Sequence, residues 1–159
     1  MITLERLLKH MAWSNQAVLK FLAELPDEAL NAHVVKPEWN ASEISVHIVS
    51  SSDWYVYRLN GRPVTEFERP RTMADVRNLI PLAARFDARL LEEALHADRQ
   101  MTFKRESGDL QRWRSTILSQ AVHHATEHRA QLACALEAKG FAAPDLDELD
   151  LWSYEAREG

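Results

Sequence analysis

The residues of this chain best placed to do chemistry are His124 and His128, in the stretch His123-His124-Ala125-Thr126-Glu127-His128-Arg129-Ala130-Gln131. Apolar periodicity predicts one helix over residues 113 to 139. Ile117, Ala121, His124, His128, Leu132 and Ala135 fall on a single stripe at steps of three and four. Residues four apart differ by about 40° around a helix axis and sit one above the other, so both imidazoles share the face that should meet the core. Burying two imidazoles without partners costs several kcal/mol. Two arrangements remove that cost: a metal ion bound by both, for which this spacing is the usual device, or a pair of core histidines each satisfied by a hydrogen bond. His123 points about 100° away, close to Glu127, and reads as a surface residue.

A third imidazole comes from an earlier helix. Asn40-Ala41-Ser42-Glu43 has the residue types and spacing of a capping box, and the helix it opens runs to about Leu59, ending at Asn60-Gly61 before Pro63. Its inner stripe reads Ile44, His47, Ile48, Ser51, Tyr55 and Leu59. A lone histidine there is ordinary, but one facing a histidine pair is a candidate third ligand. Three imidazoles without a fourth protein ligand describe an open site, with room for water or substrate, and an open site favours an enzyme. Imidazole donors suit a divalent cation, zinc or nickel first.

Two further helices must support these. Residues 3 to 25 form an amphipathic helix that Thr3 can cap, with Leu4, Leu7, Leu8, Met11, Val18, Leu22 and Leu25 inward, stopped by Pro26. Asp27 to Leu30 suggest a short turn, and residues 31 to 39 read as connecting chain. After a long connection over Arg62 to Arg71, residues 72 to 95 form a helix with Val76, Leu79, Ile80, Ala83, Phe86, Leu90 and Leu95 inward. Pro81 should kink or split it. The length of the connection means that helices two and three need not be antiparallel neighbours. Residues 101 to 112 suggest a small hairpin. The acidic tail beyond Gly140 carries Leu146, Leu149, Leu151, Trp152 and Tyr154, enough apolar surface to pack back. The simplest architecture is a single all-α domain over residues 1–159, a four-helix bundle with a long connection between helices two and three.

Composition narrows the partners. With 19 basic against 24 acidic residues the net charge is −5, and the densest basic patches, Arg58-Arg62, Arg69-Arg71 and Lys104-Arg114, are scattered. No concentrated basic face for nucleic acid is expected. No apolar run is long enough to span a bilayer and no signal peptide is evident, so a cytoplasmic location is expected. The single cysteine, Cys134, excludes an internal disulfide and lies off the stripe, where a buried structural thiol is expected.

His124-Ala125-Thr126-Glu127-His128 also spells H-x-x-E-H, the inverted zinc metallopeptidase motif, with Glu127 in the place of the base. That family needs a downstream acidic ligand on a larger mixed fold, and only a short tail follows here. A broader match covers nearly the whole chain. Leu7-Leu8-Lys9-His10-Met11-Ala12-Trp13-Ser14-Asn15 with Leu25-Pro26-Asp27-Glu28-Ala29-Leu30, Ser45-Val46-His47-Ile48 with Trp54-Tyr55, and His124 with His128-Arg129-Ala130-Gln131 resemble the DinB/YfiT-like superfamily and its H-x-x-x-H-R-x-Q signature. The tail Leu149-Asp150-Leu151-Trp152-Ser153-Tyr154 is similar to that family's ending. His123 and Ala130 depart from the usual Asn and Gly without touching a ligand. The resemblance implies a metal-binding four-helix bundle with His47, His124 and His128 as ligands, a homodimer, and thiol-dependent activity. That activity would be transfer of a low-molecular-weight thiol to a small electrophilic substrate, or thiol-dependent isomerisation. A non-catalytic metal-binding or scaffold role and metal-dependent hydrolysis are the alternatives. Arg129 and Gln131 are candidates for orienting the ligands, or simply exposed residues.

Overall fold

The computed structural model describes residues 3–158; Met1, Ile2 and Gly159, at the ends of the expected domain, lie outside the described residues. Four long helices dominate. Helix α1 spans Leu4–Leu22 and buries Leu8, Met11, Val18, Leu19 and Leu22. Thr3 stands at its N-cap in an extended conformation but makes no capping hydrogen bond, contrary to expectation. A 3-10 turn over Asp27–Asn31 follows Pro26.

Helix α2 spans Ala41–Asn60, and the Asn40 side chain accepts the Glu43 amide at its start. Gly61 closes it at φ 75, a left-handed conformation that glycine adopts at little cost. The sequence showed one buried stripe, but α2 also buries Val46, Val49, Ser52, Asp53 and Val56. It lies between α3 and α4, so two of its faces are covered. Helix α3, Met73–Ala94, opens with a complete Thr72/Asp75 capping box and runs through Pro81 without splitting. It ends one residue before Leu95, which is 74% exposed rather than in the core.

Contacts along the helices fix their directions. Ser42 reaches Pro70 just before α3, Ser52 reaches Asp87, and Asn60 reaches Glu93, so positions advance together and α2 runs parallel to α3. Parallel neighbours require the connecting chain to travel back along the helix. Twenty helical residues cover about 30 Å, and the twelve residues between α2 and α3 can span that distance when extended. The long connection is therefore a crossover.

The strands β1, Gln100–Phe103, and β2, Leu110–Trp113, form an antiparallel hairpin with Phe103 opposite Leu110. The fold is thus mostly helical with a small two-stranded sheet, the hairpin suggested by residues 101 to 112, so the all-α class holds only for the long elements. Helix α4 follows over Arg114–Ala138, and a short α5 covers Leu151–Glu158. In the tail Leu149 packs on the core, but Trp152 remains 81% exposed. Cys134 is exposed, not the buried thiol expected. Among the described residues no helix is long and apolar enough to cross a membrane.

Candidate metal centre

His47 from α2 and His124 and His128 from α4 meet where the two helices face each other. Their nearest ring nitrogens all lie within 4.8 Å of one another. His47 Nε2 stands 3.2 Å from His124 Nε2, which stands 3.0 Å from His128 Nε2. Metal–nitrogen bonds of about 2.0–2.1 Å at tetrahedral angles separate their nitrogens by about 3.3 Å, so the spacing suits one small divalent ion. His128 is buried and the other two are half-buried. His123 is exposed, as expected from its angle.

The hydrogen bonds of the site bear on the two readings left open by spacing. Trp39 Nε1 can only donate, and it reaches Gln131 Oε1 at 2.9 Å. That same oxygen lies 2.9 Å from His128 Nδ1, which must therefore be the donor. With the proton on Nδ1, the lone pair of His128 is on Nε2 and aims at the cluster. His124 Nε2 holds either one proton or one lone pair, yet it has two nitrogen neighbours. Hydrogen bonding among the three rings can satisfy only one of those contacts. A cation accepting three lone pairs satisfies all of them.

Electrostatics favours the same state. Burial pushes the pKa of His124 down to about 4, assisted by repulsion from His128 and His47. His47 is lowered too, by burial first and by His128 second. Neutral imidazole is the form that coordinates a metal. The edge of Trp39 covers two of the rings, with centroids 5.1 Å from His47 and 5.6 Å from His128.

On the other side the site opens into a cleft of about 410 Å³ lined by Ser50, Ser51, Trp54, Tyr55, Val64 and Thr65 beside His47 and His124. The rim is fastened by the Thr65 amide, which donates to Asp53 Oδ2 at 2.6 Å and ties the crossover to α2. Burial raises the pKa of Tyr55, so its phenol stays protonated. Glu127 is exposed on the outer side of α4 and does not line the cleft.

Behind the site, a buried polar chain joins all four long helices. Arg129 Nη1 donates to Asn15 Oδ1 at 2.7 Å, Asn15 Nδ2 donates to Asp87 Oδ2 at 3.0 Å, and Ser52 Oγ donates to Asp87 Oδ1 at 2.7 Å. Arg129 is thus a core residue beside His128, not a surface one. Gln131 hydrogen-bonds His128 directly. Sequence reasoning missed Trp39, assigned only to connecting chain, and Asp87, which sits on the buried side of α3. A large indole immediately before the Asn40 cap of α2 was the available signal for the first.

These features define a mostly helical protein whose facing helices present three imidazoles able to hold one metal ion. A family model described as DinB family matches residues 1–158, and the chain belongs to that family. No curated protein matches the chain.

Proposed function

We propose that this DinB-family protein holds one divalent cation, zinc or nickel, through His47, His124 and His128, and catalyses transfer of a low-molecular-weight thiol to a small electrophile. In this reading the scaffold is a four-helix bundle, the protein works in the cytoplasm as a homodimer, and nucleic acid is not a partner. One observation carries the proposal: three imidazoles converge, two of them in the wall of a cleft, and among the described residues no fourth protein ligand closes the set. A divalent ion held there supplies a Lewis acid that brings thiol ionisation near neutral pH.

The chain's own residues do the rest. Gln131 and Trp39 hold His128 in the tautomer that presents its lone pair. Trp54 and Tyr55 give the cleft an apolar wall that excludes water from one side of a bound electrophile. The protonated Tyr55 hydroxyl and the Ser51 hydroxyl are donors for charge that develops on the acceptor.

The test is conjugation of a panel of small thiols to a reactive electrophile by metal-loaded protein. Acceleration is expected, and it should vanish in His128→Ala and on chelation. Tight metal binding with no acceleration for any thiol would leave the scaffold reading. Ester or amide cleavage dependent on Glu127 would establish hydrolysis, although the outward position of Glu127 argues against it.

A further inference from the structure

Beyond the three histidines, α2 carries a stripe of cleft residues that ends in a cation. His47, Ser51, Trp54, Tyr55 and Arg58 follow one another at helical spacing. Eleven residues return to within about 20° of the same face and advance roughly 16 Å along the axis. Arg58 leans back toward the start of its helix, as long helical side chains do. Its guanidinium lies 3.7 Å from the centroid of the Phe103 ring on β1 and 5.3 Å from that of Trp54. Stacking occupies the faces of the guanidinium and leaves its in-plane N–H donors free, the geometry that grips a carboxylate.

The hairpin completes this end. A cavity of about 280 Å³ is lined by Arg58, Arg105 and Arg112 with Phe103, and it shares Trp54 and Tyr55 with the metal-side cleft. No acidic residue lines either space. Among the described residues the ion pairs engage other cations, and the hairpin's own Asp109 is taken by Lys104. On a chain of net charge −5, three arginines with no acidic partner among the described residues, at one end of a cleft, are a local reversal of sign.

We infer that Arg58, with Arg105 and Arg112, is the carboxylate-binding end of an elongated site, so that the ligand reacting at His47, His124 and His128 is an anionic molecule about as long as a tripeptide. This inference rests on the reading that the ligand's reacting end lies at the three histidines. The carboxylate can belong to the thiol or to its acceptor, and both present the same chemistry to the arginines.

Calorimetric titration of the full-length, zinc-loaded protein separates these cases. Glutathione, a thiol with two carboxylates, is compared with its diethyl ester, which keeps the thiol and the amine but has no carboxylate, and suberate, a thiol-free dicarboxylate of similar span, is titrated with saturating 2-mercaptoethanol present. If the thiol carries the charge, glutathione should bind about tenfold or more tightly than the diester, and Arg58→Gln should remove that advantage. If the acceptor carries it, suberate should bind beside 2-mercaptoethanol and lose affinity in Arg58→Gln. The double variant Arg105→Gln/Arg112→Gln, altered only at exposed positions, should weaken the same ligand without any question of folding. Equal affinity for glutathione and the diester, together with no suberate binding, would overturn the inference. Binding of the diester to wild type but not to His128→Ala reports on the thiol reading separately. Failure of that comparison with Arg58-dependent anion binding intact would remove the thiol chemistry and keep the arginine site.

Discussion

Gln131 accepts the indole N–H of Trp39 and the Nδ1 proton of His128 on one oxygen, each at 2.9 Å. A residue three positions past His128 on α4 thereby sets that ring's tautomer, and a residue from the α1–α2 connection sets the orientation of the amide. Groups of this kind typically contribute 10–100-fold to metal affinity. Gln131→Ala should therefore lower zinc affinity by about that factor in competition with a chromophoric chelator. Trp39→Phe, which keeps a ring against His47 and His128 but loses the donor, should cost less. An unchanged competition curve for Gln131→Ala would mean that the tautomer is set by something else.

The three histidines should be the most sensitive positions. His47→Ala, His124→Ala and His128→Ala should each reduce occupancy further than the Gln131 change does, as read by elemental analysis of untagged protein. His123→Ala should leave occupancy near one ion per chain, because that ring is exposed on another face of α4. Retention of metal by His47→Ala would reduce the centre to a pair on a single helix.

Helical phase made the three clustered histidines visible in the sequence, since each lies on a stripe of apolar neighbours and two lie one turn apart. Caps and breakers placed the ends of α2 and the start of α3 for the same local reason. What the pattern could not show depends on neighbours across the fold. The second buried face of α2 follows from its position between α3 and α4. The burial of Arg129 follows from Asn15 and Asp87 on other helices. Cys134 lies about 240° round α4 from His128, a phase that already pointed outward and outweighs the general tendency of thiols to be buried. Trp39 belongs to no periodic element, so no pattern could assign it to the site.

Acid should loosen α3 first at its beginning. Asp75 accepts the amides of Arg71 and Thr72, each at 2.9 Å, and these bonds hold its pKa below the usual carboxylate range. Its folded-state pKa lies below its unfolded one, so the unfolded chain binds the proton more readily between the two values. The stabilisation is complete above the ordinary value of 3.8 and is lost as pH falls through the folded value. Denaturation midpoints measured across that range should show this loss in wild type and a smaller loss in Asp75→Asn. An equal acid dependence in both proteins would assign the effect to other carboxylates.

The polar chain behind the metal centre should dominate stability. Asn15 is 1% exposed and bridges two buried ions, Arg129 at 4% and Asp87 at 1%. Burial brings the Arg129 pKa down to about 10 and raises that of Asp87, which shows that each charge is held at a cost that the bridge must offset. Replacing Asn15 with Leu keeps the approximate volume but leaves both ions short of a partner in the interior. Breaking such a buried arrangement typically costs about 3–5 kcal/mol, whereas replacing all of it with apolar side chains is often neutral or stabilising. Asn15→Leu should therefore lower the unfolding free energy by roughly that amount in urea titration of metal-free protein. The triple variant Asn15→Leu/Asp87→Leu/Arg129→Met should recover much of the loss, because no uncompensated charge remains inside. A loss under about 1 kcal/mol for Asn15→Leu, the size of one ordinary hydrogen bond, would show that the two ions do not depend on the bridge.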